Sequence, residues 1–101
     1  MKLGELIMVF IGFSLFTGLL HIDEGFTCSD FDFQDLTTAQ ECSDAVTYAT
    51  LFNENARYVA EGSWHFNPKG CSLYNSGEMY FNSHPTGRNN RETISICWKG
   101  N

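Results

Sequence analysis

Residues 70–82, GCSLYNSGEMYFN, carry the clearest structural signal in the chain. Two apolar and aromatic runs, 71–74 and 79–82, flank the polar sequence Asn75-Ser76-Gly77. Asparagine and glycine readily adopt the backbone conformations of tight turns, whereas aromatic and apolar residues favour strands. The pattern predicts a β-hairpin with a short loop.

Strand patterns lie on both sides of this hairpin. On the C-terminal side, bulky apolar residues alternating with small polar ones predict a final strand over 93–98, after a polar loop over 83–92. On the N-terminal side, residues 57–60 and 63–66 have strand character. Phenylalanines that alternate with aspartates predict a first strand within 26–33.

One helix is predicted before the hairpin. The segment 38–41, Thr-Ala-Gln-Glu, has the spacing of a capping box, in which hydroxyl and carboxylate accept hydrogen bonds from backbone N–H groups. An apolar stripe follows, formed by Cys42, Ala45, Val46, Ala49 and Phe52. Asn53 and Asn55 end the helix. The predicted fold class is α+β, with one helix packed on a small antiparallel sheet and stabilised by disulfides.

The four cysteines are Cys28, Cys42, Cys71 and Cys97. An even number of cysteines in a short exported chain indicates a disulfide framework, and four cysteines allow three pairings. If Cys42 faces inward from the helix, it can meet Cys71 at the start of the hairpin. Cys28 would then pair with Cys97. In the chain-entropy model such an outer bridge stabilises by roughly 4 kcal/mol.

The N-terminal segment has the character of an export signal. Lys2 precedes an apolar run over 6–20, and polar residues follow it, which is the order found in signal peptides. The run is shorter than the roughly 20 residues needed to cross a bilayer. We therefore expect 1–25 to be a cleaved signal peptide and 26–101 to be one secreted, extracellular domain. The alternative is an uncleaved signal anchor at residues 6–20, which would tie the domain to a membrane.

The charge of residues 26–101 bounds the choice of partner. This segment carries 5 basic and 9 acidic side chains, a net charge of −4. Non-specific binding to nucleic acid needs a cluster of cations that displaces condensed counterions. We therefore expect no nucleic-acid partner and look for an extracellular protein or carbohydrate instead.

Several segments together resemble a small exported four-cysteine module that recurs in proteins of marine algae and other protists. The shared features are a Gly-Cys-x-x-Tyr segment, a Tyr-Phe-Asn strand and a terminal Ile-Cys, found here at 70–74, 80–82 and 96–97. The resemblance covers nearly all of residues 28–98. It implies an extracellular module of four cysteines, and it transfers no catalytic residue.

Aromatic side chains are the main candidates for a binding surface. Residues 26–101 contain 12 of them, and a small domain needs most of that volume to fill its core. Rings left exposed could contact a sugar or a peptide over a large area at low entropic cost. The candidate binding residues are Trp64, Tyr74 and Tyr80, together with His84 in the following loop.

Metal and thiol chemistry are disfavoured. Asp30, Asp32 and Asp35 could supply oxygen ligands to calcium, but they lack the glycine and distal glutamate of an EF-hand loop. A solvated strand face is the favoured interpretation of the three aspartates. Zinc or thiolate chemistry at cysteine is not expected, because the thiols pair in an oxidising compartment. We therefore predict no metal and no cofactor.

Three functional hypotheses remain. The leading one is a secreted, disulfide-stabilised binding or interaction module without enzymatic activity, with the hairpin and the loop 83–92 as its recognition edge. The second is a small secreted hydrolase, which requires a polar cleft near Glu61, His65 or His84. The third is a structural component of an extracellular coat or matrix.

Overall fold

The computed structural model describes residues 18–88 and 92–99. Within these residues the chain forms six strands, two short α-helices and one 3₁₀ helix. The strands are β1 (Leu19–His21), β2 (Gln34–Asp35), β3 (Arg57–Gly62), β4 (Gly70–Tyr74), β5 (Glu78–Asn82) and β6 (Thr93–Trp98). The helices are the 3₁₀ helix (Cys28–Phe31), α1 (Ala39–Asp44) and α2 (Val46–Ala49).

All six strands belong to one mixed sheet. Its main order is β1-β6-β4-β5-β3, and β2 also pairs with β6. The hairpin β4–β5 and the final strand are antiparallel, as predicted, but β3 runs parallel to β5. The predicted α+β class is confirmed, whereas the expectation of a purely antiparallel sheet is wrong. The parallel pairing follows from the strand order: β5 lies between β4 and β3, so the loop 63–69 carries the chain from the end of β3 past the position of β5 to β4.

The main core lies between one face of the sheet and the helices. Its buried residues come from the helical segment, from β4, β5 and β6, and from the residues beside β2 and β3: Leu36, Cys42, Ala45, Ala49, Ala56, Cys71, Leu73, Met79, Phe81 and Ile96. Thr38 caps α1 as predicted, since the Glu41 N–H donates to Thr38 Oγ1 at 3.0 Å, while the Glu41 carboxylate accepts from the N–H of Thr37 at 2.7 Å. The Cys42–Cys71 disulfide joins α1 to β4, with the two Cα atoms 5.3 Å apart. The predicted pairing of these two cysteines is confirmed.

The second disulfide closes the opposite face of the sheet. Cys28 at the start of the 3₁₀ helix is bonded to Cys97 in β6, with the two Cα atoms 5.7 Å apart. Both residues are buried with Ile22 in a small separate apolar cluster. The second predicted pairing is therefore also confirmed, and the described residues contain no free cysteine.

The predicted first strand over 26–33 is wrong. The Thr27 N–H donates to the Asp30 carboxylate at 2.7 Å, and this contact starts a 3₁₀ helix instead. Asp32 ends that helix with a φ of +64°. The local capping contacts override the alternation of phenylalanine and aspartate, and after β1 the chain next pairs as a strand at β2. Asp30 and Asp32 therefore do not share a strand face.

Two other local expectations are corrected. Residues 63–66 form a loop and not a strand, because the Trp64 N–H bonds the Asn82 side chain and leaves no ladder pairing. The predicted single helix is divided at Ala45, whose N–H is shared between the carbonyls of Glu41 and Cys42 in a tightened turn. The polar segment 83–88 is a loop as expected.

Residues 1–17 of the expected signal segment lie outside the described residues. After them, β1 pairs with the C-terminal half of β6, and Ile22 is buried. In the part of the chain that the structure describes, no helix is long and apolar enough to cross a membrane.

Candidate functional site

Asn82, the last residue of β5, organises one side of the molecule. Its side chain is fully buried, and its Oδ1 accepts from the backbone N–H groups of Trp64 at 2.8 Å and His84 at 3.2 Å. Its Nδ2 donates to three backbone carbonyls, those of Trp64 at 2.7 Å, Asn67 at 2.9 Å and Pro68 at 3.2 Å. One amide side chain thus fastens the loop 63–69 onto the sheet.

Beside this network, three aromatic rings form a row on the sheet face opposite the helices. The Trp64 and Tyr80 ring centroids are 5.6 Å apart with planes at 84°, and those of Tyr80 and Tyr74 are 5.6 Å apart at 80°. We call Trp64, Tyr80 and Tyr74 the aromatic row. All three side chains are partly exposed. Edge-to-face packing of this kind is favourable and holds each ring in one orientation.

The two tyrosine hydroxyls of the aromatic row are also fixed. The Tyr74 hydroxyl donates to Asn67 Oδ1 at 2.9 Å, and the Tyr80 hydroxyl donates to Glu78 Oε1 at 3.2 Å. Burial raises the pKa of Tyr80, and the hydrogen bond and charge of Glu78 raise it further. The Tyr80 hydroxyl therefore stays protonated and acts as a donor at neutral pH.

Gly62 sets the position of the indole. A Cβ atom at Gly62 would overlap the six-membered ring of Trp64, so only glycine lets this ring lie against the β3 backbone. The indole is thus held on one side by the main chain and on another by Tyr80. Its place depends on a residue two positions earlier in the sequence.

His84, the fourth predicted binding residue, lies at the border of this surface. Its ring centroid is 4.9 Å from that of His65 with the planes at 44°, and its Nδ1 accepts from the Thr86 N–H at 3.2 Å. The structure thus links His84 to Trp64 through Asn82, whose Oδ1 accepts from both backbone N–H groups, and does not bring His84 into the aromatic row. Among the described residues no histidine forms an ion pair with a carboxylate, and no group of three histidine, cysteine or acidic side chains could hold a metal.

A groove of about 530 Å³ lies at a division in the sheet. Ile96 pairs with both β1 and β4, and Trp98 pairs with both β1 and β2, so β2 and β4 lie one after the other along the same edge of β6. Gly70, with a φ of +89°, turns the chain away where β2 takes over. The groove opens between β2 and the end of β5.

Asp35 and Lys69 lie where this groove meets a second hollow of about 260 Å³. Burial raises the pKa of the Asp35 carboxyl, while the positive charge of Lys69 lowers it. The carboxylate is half-buried, and none of the described residues donates a hydrogen bond to it. Sequence reasoning treated Asp35 as part of a solvated face and did not single out Lys69.

The sequence also gave no indication that Asn82 has a functional role. The one available signal was its position, two residues after Tyr80 on a predicted strand, which places both side chains on the same face. Neither its burial nor its contacts with the loop 63–69 could be read from that spacing.

Comparison of the chain with protein families, with curated proteins and with solved structures found no match. The interpretation of the site therefore depends on its geometry alone.

Proposed function

We propose that this protein is a secreted, disulfide-stabilised interaction module that recognises an extracellular protein through the aromatic row. The observation that carries the proposal is the rigid, partly exposed arrangement of Trp64, Tyr80 and Tyr74. Tryptophan and tyrosine are enriched among the residues that dominate binding energy at protein interfaces. Rings that are already fixed lose little conformational entropy when a partner binds.

The angles between the rings favour a protein ligand over a flat sugar. Neighbouring planes in the row are close to perpendicular, at 84° and 80°, so the three rings do not form one continuous stacking platform. They present edges, faces and hydroxyls side by side, as the tyrosine-rich loops of antibodies do. An irregular protein surface can complement such a mixture.

Charge flanks the row and supports a partner with polar groups at its margin. Arg57 Nη2 and Glu78 Oε2 form an exposed ion pair at 3.4 Å, and the second glutamate oxygen accepts from Tyr80. Exposed pairs of this kind contribute little to stability, about 1 kcal/mol or less. They are therefore available to exchange partners at the rim of an interface.

The two disulfides are consistent with a location in an oxidising compartment, where such bridges form and persist. The secretion of the protein and its extracellular location are part of the proposal. A scaffold with both faces of its sheet covalently fastened can present a loop surface without relying on a large core.

The test is capture of partners from medium conditioned by the cells that express the protein. Wild type, Trp64→Ala and Tyr74→Ala are immobilised with disulfides intact, and bound proteins are compared by quantitative mass spectrometry. Phe31→Ala serves as the matched control, since Phe31 is an aromatic residue that is 49% exposed and lies outside the row. A partner retained by wild type and the control but reduced at least about tenfold on Trp64→Ala supports the proposal.

A glycan array probed with the same variants forms the second arm. Binding to a glycan that depends on Trp64 would replace the protein partner with a carbohydrate. If neither screen yields a ligand that distinguishes Trp64→Ala from Phe31→Ala, the aromatic row is structural packing and the proposal is wrong.

A further inference from the structure

The groove between β2 and β5 is a second site, separate from the aromatic row. Its volume, about 530 Å³, lies within the range of roughly 300–1,000 Å³ that small-molecule sites occupy. Its walls come from three parts of the chain, residues 33–37, residues 69–70 and residues 81–83. None of the three aromatic-row side chains lines it.

The floor and the mouth of the groove differ in chemistry. Phe33, Leu36 and Phe81 supply an apolar surface, and Leu36 and Phe81 belong to the main core. Asp35 and Lys69 bring opposite charges to the junction with the second hollow. An apolar floor with a few convergent polar groups is the usual composition of a ligand pocket.

The two charges do not neutralise each other by direct contact. Among the described residues neither Asp35 nor Lys69 takes part in an ion pair or a side-chain hydrogen bond. A carboxylate that has lost part of its water and has gained no protein donor is unfavourable in the empty protein. A donor supplied from outside would remove that cost, and the lysine would balance a negative group on the same ligand.

We propose that the groove binds a free hydrophobic amino acid. In the bound state the α-ammonium group donates to the Asp35 carboxylate, the α-carboxylate faces the Lys69 ammonium group, and the side chain packs on Phe33 and Phe81. A ligand with only one charge would leave either Asp35 or Lys69 without a direct partner. A zwitterion satisfies both, and its apolar side chain matches the floor.

The experiment is a titration of ¹⁵N-labelled, disulfide-bonded protein with L-leucine, followed by NMR. Saturable shifts of the backbone amides of Asp35, Leu36, Gly70 and Ser83 are expected. The single-charge analogues 3-methylbutylamine and 4-methylpentanoate should each bind at least about tenfold more weakly, because a charge-assisted hydrogen bond is lost. An analogue that binds as tightly as leucine, or an absence of saturable shifts in the groove, overturns the proposal.

Two substitutions test the residues directly. Asp35→Asn and Lys69→Gln should weaken leucine binding, by about tenfold or more for Asp35→Asn. Because Asp35 has no hydrogen bond to lose, Asp35→Asn should remain folded, which a dispersed ¹⁵N spectrum checks. Matched controls are Glu54→Gln and Lys99→Gln, which remove charges outside the groove. Unchanged binding in Asp35→Asn contradicts the assignment.

The variant Trp64→Ala separates this inference from the proposed function. It should bind leucine as wild type does, because Trp64 does not line the groove. Loss of the protein partner with retained leucine binding would show two independent sites.

Discussion

Replacing Asn82 with alanine should destabilise the domain more than any other single substitution of a polar residue described above. The change removes two hydrogen bonds accepted by Oδ1 and the two N–H donors of Nδ2, which three carbonyls share, at a position with no solvent exposure. Each such bond contributes about 0.5–1.5 kcal/mol net, and buried groups left unpaired cost more. Partial relaxation of the loop recovers some of this, so we expect a loss of about 3–5 kcal/mol.

That loss is a large fraction of the total stability of a small domain, about 5–15 kcal/mol. It should be measured by urea denaturation of the oxidised protein, followed by far-ultraviolet circular dichroism and tryptophan fluorescence. Because the Trp64 backbone is bonded twice to Asn82, the fluorescence of the folded variant should also change. The exposed Asn75 provides the matched control, and Asn75→Ala should change stability by less than about 0.5 kcal/mol.

A second substitution distinguishes the contribution of the Asn82 oxygen from that of its nitrogen. Asn82→Asp keeps an oxygen acceptor for the N–H groups of Trp64 and His84, but it places a second oxygen opposite three carbonyl oxygens. It should therefore be at least as harmful as Asn82→Ala at neutral pH. A loss below about 1 kcal/mol for either variant would refute the view that Asn82 fastens the loop to the sheet.

Four further outcomes are expected. Replacing the Cys28–Cys97 bridge with two serines should lower the free energy of unfolding by about 4 kcal/mol, given the sequence separation of 69, and denaturant titration measures it. Gly62→Ala should displace the adjacent indole and shift its fluorescence emission, while far-ultraviolet dichroism stays near wild type. Backbone and hydroxyl hydrogen bonds lower the pKa of Glu41, so its stabilising effect is present above pH about 4.5 and lost as pH falls through the lowered value. The stability difference between wild type and Glu41→Gln should therefore shrink from about pH 6 to about pH 3. Intact-mass measurement of the protein recovered from expressing cells should show that residues 19–22 are retained, so that cleavage falls before residue 19 and not at the expected boundary after residue 25, because removal of 19–22 would strip the edge strand from β6.

Local patterns in the sequence predicted most of the sheet. The hairpin β4–β5 depends on a short turn between alternating segments, and β6 depends on its own alternation, so both were accessible without knowledge of the rest of the chain. The Thr38 capping box likewise acts within four residues. The cysteine spacing left three pairings open, and the pairing that the structure shows was predicted on the condition that Cys42 faces inward from the helix toward Cys71.

Two kinds of feature could not be predicted from the sequence. In one, two local structures compete for the same residues; in the other, residues far apart in the sequence come into contact. In residues 26–33 a strand-like alternation loses to the contact between Thr27 and Asp30, and the alternation itself carries no sign of that outcome. The parallel pairing of β3 with β5 depends on the loop 63–69, which carries the chain past the position of β5 to β4. Both are consequences of tertiary structure.

Some residues of the candidate sites could likewise be predicted from the sequence, and others could not. The aromatic residues of the row could be selected by type and by their place on the hairpin. The groove could not, because Asp35 and Lys69 are 34 positions apart in the sequence and meet only where β2 replaces β4 beside β6. Asn82 is intermediate, since alternation gives its face but not its partners.

The pairing of β1 with β6 has a mechanical consequence. Gly18 and Lys99 are joined by a backbone hydrogen bond of 2.8 Å. A force that pulls these two residues apart therefore breaks the hydrogen bonds between β1 and β6 one after another. The opening stops at the Cys28–Cys97 bridge. Only residues 18–27 and 98–99 can be drawn out, which at about 3.5 Å per residue gives an extension of about 40 Å. Beyond that length the tension passes through the disulfide, and the residues between Cys28 and Cys97, with the aromatic row and the groove, carry no load.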